Sequence, residues 1–149
     1  MKLTTFLLST LSLLPLISSK SYCPPQPACA EDQVKIWNEF VDELWIKKNV
    51  SLAFLTHVDP GYIQHNPFAL SGRQAAIDFL TTLWPADNFT IMHNGFYNNT
   101  GYLHYRVDTP GQYPQAITDI LRFNGTCIME HWDVIQSWSP NYTNPIALF

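Results

Sequence analysis

The chain has little charge and none of the short motifs that mark the commonest catalytic and cofactor sites. Only 13% of its 149 residues are charged, eight basic against twelve acidic, for a formal net charge of −4. The basic residues are scattered, which leaves no electrostatic footprint for nucleic acid or for an anionic membrane surface. No GxSxG, Walker loop or GxGxxG occurs, so a serine hydrolase, a nucleotide site and a dinucleotide site have nothing to rest on. The five histidines stand singly, without HExxH or similar spacing, so no metal centre is expected. Internal repeats and low-complexity tracts are also missing.

At the N-terminus, Lys2 precedes an apolar run from Leu3 to Ile17, followed by Ser18, Ser19 and Ser21. This is the layout of a secretory signal peptide, assigned to residues 1–21; Pro15 interrupts a run already short for a bilayer. The remainder divides into a Cys/Pro-rich arm at 22–30, one domain at 31–140 and a tail at 141–149, long enough together to bury a core. A secreted, extracellular protein is expected, with no membrane association once the signal is removed. Five N-glycosylation sequons agree with that route: Asn49, Asn88, Asn98, Asn124 and Asn141, more than ten Asn among 21 Ser and Thr would give by chance.

Three cysteines then have to be placed in an oxidising compartment. Cys23 and Cys29 flank the stiff segment CPPQPAC and are expected to close a small disulfide ring, leaving Cys127 over. Cys127 paired with Cys23 or Cys29, or with another chain, is the alternative that spacing leaves open. A catalytic thiol has no support, because no cationic neighbour in sequence would make Cys127 a thiolate.

Helical periodicity dominates the first half. Val34, Trp37, Phe40, Val41, Leu44 and Trp45 recur at helical spacing, predicting an amphipathic helix over Glu31–Lys48. Asn49 breaks it, a shorter helix is expected over Ser51–Val58, and Asp59, Pro60 and Gly61 read as a turn. Ser71 is the expected cap of a third helix that carries Ala76, Ile77, Phe79, Leu80 and Leu83 inward and stops at Pro85. After Asn88 come four strand-like stretches, FTIMHNGFY, GYLHYRVD, QAITDILRF and TCIMEHWDVIQSW, the first two joined at NNTG and the last two at NGT. Helices followed by a meander predict an α+β fold with the helices on one face of a curved antiparallel sheet around a cavity.

The last hairpin carries the chemistry. With Asn124 and Gly125 central in a type I′ turn, Phe123 pairs with Thr126 and Asp119 falls opposite Glu130. Glu130, Trp132 and Gln136 then share a face with Asp119, and because two facing carboxyls do not both ionise cheaply, one pKa is expected to rise and fit that group for general acid or base work. A three-residue turn or a bulge reverses the choice, bringing His131 and Asp133 to Asp119 instead. His65, in the stretch YIQHNP, is a further acid-base candidate, ahead of His57, His93 and His104.

The stretches YIQHNP, SGRQAAIDFL, TDILRFNG and IMEHWDVIQ, in this order, resemble the SnoaL-like polyketide-cyclase-related branch of the nuclear-transport-factor-2-like superfamily, over residues 31–140. The resemblance implies a cone-shaped barrel of three helices packed on a strongly bent antiparallel sheet, often paired as a homodimer through the outer face. It also implies chemistry without a cofactor, in which an acid or base in an apolar cavity acts on a hydrophobic, carbonyl-bearing small molecule as a cyclase, lyase or isomerase. His65, Asp119 and Glu130 are the catalytic candidates on this view, with Tyr62, Trp132 and Gln136 in the pocket. Where the cyclases carry an acid four places after the tryptophan, this chain has Gln136, which transfers no proton. A non-catalytic ligand-binding or protein-interaction module on the same fold is the second expectation.

Overall fold

The computed structural model describes residues 20–149, so the expected signal peptide lies almost wholly outside the described residues. Helix α1 (Ala30–Val41) runs into a π-helical turn, Asp42–Ile46, and is followed by α2 (Val50–His57), strand β1 (Val58–Gln64), α3 (Arg73–Leu83) and a short 3₁₀ turn. Strands β2 (Asn88–Tyr97), β3 (Thr100–Asp108), β4 (Gln115–Asn124) and β5 (Cys127–Ser137) complete the chain in the order β1-β5-β4-β3-β2. Three helices thus pack on a five-stranded sheet, an α+β architecture.

The long first helix is interrupted where the sequence predicted continuity. In the π turn the Lys47 amide bonds the Asp42 carbonyl at 2.9 Å, and the wider turn keeps Leu44 and Trp45 buried beside Trp37 and Phe40. Val34, counted in the apolar stripe, is exposed. Asn49 starts α2 as its N-cap, its Oδ1 accepting from the Leu52 amide at 3.1 Å. Ser71 does not cap α3, which begins after Gly72; its Oγ accepts from the Gln64 amide and ties β1 to the loop.

The sheet is mixed rather than wholly antiparallel. Asp59-Pro60-Gly61, read as a turn, forms an irregular stretch inside β1, which pairs parallel with β5. An edge strand tolerates this, because Pro60 needs no ladder donor on its open side. The Gly61 amide instead bonds Asp59 Oδ1 at 2.8 Å.

The β4–β5 hairpin departs furthest from expectation. Asn98 and Asn99 form the two-residue turn of the β2–β3 hairpin, both at positive φ, but in β4–β5 it is Gly125 and Thr126 that are central, with Asn124 opposite Cys127. The N-terminal arm sets this placement. Thr126 donates its amide to the Gln26 carbonyl at 3.0 Å, and a Cβ on Gly125 would meet that oxygen at 1.8 Å. Phe123 consequently faces Ile128 rather than Thr126, a two-residue slip that alone preserves the faces. One extra residue, Met129, then bulges out of β5, so Arg122 pairs with Glu130, Leu121 with His131 and Asp119 with Asp133. The bulge exchanges the two faces of the rest of β5.

The same arm corrects the disulfide. Cys23 bonds Cys127 across 104 residues, and Cys29 is a free, exposed thiol, so the expected Cys23–Cys29 ring is not formed. Tyr22 seats the arm by giving its amide to Thr56 at 2.7 Å and its hydroxyl to Glu39 at 2.6 Å. All five sequon asparagines are exposed. A glycan on Asn49 Nδ2 leaves its capping Oδ1 free.

Candidate functional site

A cavity of about 210 Å³ lies between the helices and the concave face of the sheet. Its walls are apolar: Phe40 and Leu44 near the first turn junction, Phe54 from α2, Phe79 and Leu80 from α3, and Phe89 from β2. These residues are there because the aromatic-rich helical stripes of the sequence need a dry surface to bury against. At one end the lining turns polar, with Tyr62, Gln64, Asn66, Asp119, His131 and Asp133 together.

The geometry of that polar end is closely determined. His131 Nε2 stands 3.2 Å from Asp119 Oδ1, and Tyr105 gives its hydroxyl to Asp119 Oδ2 at 3.1 Å. On its other side His131 Nδ1 lies 2.7 Å from Gln64 Oε1, which also accepts from the Asn66 amide at 2.9 Å. The Asn66 side-chain amide holds Asp133. Asp119 and His131 are buried, at 6% and 8% exposure, so their interaction is weakly screened. Burial works to lower the His131 pKa, but the charge and hydrogen bond of Asp119 and the charge of Asp133 outweigh it, and the net direction is upward from 6.5. Burial first, and then the Asp119 charge, push the Tyr62 and Tyr105 hydroxyls well above 10, which keeps both as neutral donors.

The sequence-predicted residues divide between two faces. Asp119 and Tyr62 line the cavity, as do His131 and Asp133 from the alternative register. Glu130, Trp132 and Gln136 lie on the opposite, outer face, because the Met129 bulge turned them away; the expected Asp119–Glu130 pair does not exist. His65 joins them there, its ring stacked on Trp132 with centroids 4.9 Å apart and its Nε2 2.8 Å from Glu130 Oε1. Arg122 closes the group with Nε 2.7 Å from Glu130 Oε2. The hydrogen bond from His65, ahead of Arg122, holds the Glu130 carboxyl below its usual value against a smaller opposing effect of burial. Gln136 bonds Tyr142 of the tail at 3.1 Å. Sequence reading passed over Gln64, Asn66 and Tyr105; the alternation Tyr62, Gln64, Asn66 was the available signal, and His65 between them drew the attention.

Two clusters among the described residues bring three donors of metal-ligand type within 4.8 Å: Asp119, His131 and Asp133, and Glu39, Glu43 and His57. Both are engaged in hydrogen bonds within the protein. His131 uses both nitrogens, and Glu39 holds Lys20 and Tyr22 while His57 Nε2 meets Glu43 at 3.1 Å.

Helices gathered against one face of a bent sheet are also the arrangement of solved proteins. An NTF2-like protein of unknown function from Burkholderia xenovorans superposes with a TM-score of 0.62 at 13% identity, over 73% of this chain and 91% of that one. The fold is that of the NTF2-like proteins. Within it, a SnoaL-like polyketide cyclase candidate from Jannaschia sp. CCS1 matches at TM-score 0.56 and 14% identity over 68% of this chain and 86% of that one. TsrD from Streptomyces laurentii gives 0.58 and 11%, over 72% and 91%. No family model and no curated protein matches the sequence.

Proposed function

We propose that the cavity binds a small hydrophobic molecule bearing a carbonyl and that the His131–Asp119 pair moves a proton on it, in lyase, isomerase or cyclase chemistry of the acid-base type. The observation that carries this reading is a buried imidazole–carboxylate pair in the polar part of a largely apolar cavity. A carbonyl oxygen placed there meets a proton donor. A carbon-bound proton beside it meets the Asp133 carboxylate as acceptor, so one proton leaves carbon as another reaches oxygen, giving an enol without an external reagent. Solvent is held back by the aromatic walls, which strengthens these interactions.

The test works without the natural substrate in hand. A panel of apolar ketones and enones in D₂O is followed by NMR for protein-dependent deuterium uptake at the carbon next to the carbonyl. His131→Ala and Asp119→Asn are expected to lower the rate by about 10²-fold or more, the usual share of a general acid or base. His65→Ala and Glu130→Gln leave it within about twofold, as both act on the outer face. Equal loss in His65→Ala, or none in His131→Ala, sinks the reading. The extent of apolar wall favours a second reading, a carrier that binds without turnover; it predicts ligand retention in His131→Ala and no deuterium uptake by any variant.

The protein is further proposed to act outside the cell. A disulfide, five exposed sequons and the lack, among the described residues, of any helix long and apolar enough to cross a membrane support this. A mobility shift after enzymatic removal of N-glycans from protein collected in culture medium checks it.

A further inference from the structure

The hydrogen bonds around Gln64 fix the location of a proton on His131. A backbone amide only donates, so the Gln64 atom that accepts from Asn66 N–H at 2.9 Å is the oxygen, and the side-chain amide has one orientation. That same oxygen lies 2.7 Å from His131 Nδ1. An amide oxygen cannot donate, so Nδ1 carries a hydrogen. Turning the imidazole over would set ring carbons against both Gln64 and Asp119 and lose both bonds. With Nδ1 protonated, a neutral ring would present the bare lone pair of Nε2 to Asp119 Oδ1 at 3.2 Å, acceptor against acceptor. Tyr105 already supplies a donor to the other oxygen of Asp119. The contact is favourable only with a proton in it.

We infer that Gln64 is the positioning residue of the site: it keeps a hydrogen on His131 Nδ1, so that the His131–Asp119 pair rests with a second proton between them and meets its ligand as an acid. The acid role rests on the proton-transfer reading of the cavity; the location of the hydrogens does not. The groups facing His131 agree with a positive ring. Asp119 comes from β4 and Asp133 from its own strand, while the Tyr62 ring from β1 stacks on it with centroids 6.5 Å apart and brings no charge. The substrate class narrows accordingly. A site loaded as an acid favours a ligand whose oxygen accepts a proton, a carbonyl or a strained ether, over one that must first be deprotonated by this pair. After the ligand oxygen takes the proton from Nε2, Gln64 still holds Nδ1–H. The neutral ring then has one tautomer, with its lone pair on Nε2 ready to take the proton back.

The experiment is ¹⁵N NMR of the histidine ring in the folded protein without ligand, titrated through pH 5–9, for the natural sequence, Gln64→Leu and Gln64→Glu. In the natural protein both His131 nitrogens are expected to carry protons at pH 7, and Nδ1 to keep its proton as the ring loses its charge. Gln64→Leu removes the acceptor and lowers the midpoint by about one to two pH units, a ten- to hundredfold loss in proton affinity. Gln64→Glu retains an oxygen at that place and keeps the Nδ1 hydrogen, which a merely space-filling role would not require. If Gln64→Leu does not fold, the natural protein and Gln64→Glu still decide. A His131 ring neutral at pH 7, or one neutral with its hydrogen on Nε2, overturns the inference and leaves ligand binding in the cavity standing. Conversely, absent deuterium uptake with the expected protonation removes the catalytic reading and leaves the placement of the hydrogens intact.

Discussion

Replacing Cys23 and Cys127 together by serine removes a covalent link between residues 104 apart, and the cost can be worked out. Chain-entropy arguments assign about 4.7 kcal/mol to closing a loop of about a hundred residues. A domain of about 130 residues has a total stability of roughly 6–20 kcal/mol, so the bridge accounts for a quarter of it or more. With an unfolding entropy of about 2.1 cal/mol/K per residue, the loss corresponds to a fall in Tm of roughly 17 °C. The noncovalent seating of the arm, through Tyr22 on Thr56 and Glu39 and Gln26 on Thr126, remains in the variant and keeps the native ladder recognisable. Thermal unfolding followed by circular dichroism measures the shift, with Cys29→Ala, which removes the free, exposed thiol at the N-cap of α1, where it makes no side-chain cap, and leaves the bridge intact, as the control expected to move Tm far less. A fall smaller than about 3 °C, or a non-reducing peptide map joining Cys23 to Cys29, refutes the reasoning.

Other consequences are open to direct measurement. Gly101 lies under the Trp37 ring, where a Cβ would approach Cε3 to 2.5 Å, so Gly101→Ala should cost about 1–3 kcal/mol in urea unfolding. His57 is fully buried and its pKa is pushed down to about 4, chiefly by burial. Because the unfolded chain takes up that proton near 6.5, the stability due to neutral His57 is complete above 6.5 and is lost as pH falls toward about 4, on the order of 3 kcal/mol. A His57→Gln variant should therefore show a flatter dependence of unfolding free energy on pH in that window. On the outer face Tyr102, Ile120 and Trp132 stand in one row and Val134 is 69% exposed beside them. If two copies pair through this face, Val134→Asp shifts sedimentation equilibrium toward the monomer; a mass unchanged from the natural protein argues against pairing there.

The helices and most strands were legible because burial imposes a period: Trp37, Phe40, Leu44 and Trp45 sit at helical intervals, and the four later strands alternate between clear turns. Strand β1 was not, since Asp59-Pro60-Gly61 has the local chemistry of a turn and only an edge position lets it pair. The register of the final hairpin depended on a contact from a hundred residues away. Asn124-Gly125 favours its own central turn, but the arm needs Gly125 where Gln26 crosses, and Met129 carries no mark that it will bulge. That single residue sent Glu130 and Trp132 outward and His131 and Asp133 inward. Asp119 kept its face because β4 is regular up to the turn. His65 was selected for its titratable ring, while its neighbours Gln64 and Asn66, less conspicuous as residue types, entered the cavity.

The Met129 bulge also selects between two faces of one strand. The segment of β5 beyond it carries two polar sets, Glu130 with Gln136 on one side and His131 with Asp133 on the other, and the unpaired position of Met129 decides which of them is enclosed. Drawing Met129 into the ladder opposite Arg122 would bring the other set inside while leaving strand order, helices and length untouched, whereas deleting it would leave Glu130 opposite Arg122 and the faces as they are. What the cavity encloses on β5 therefore depends on whether one residue stands in the ladder or out of it, with no side chain of either set replaced.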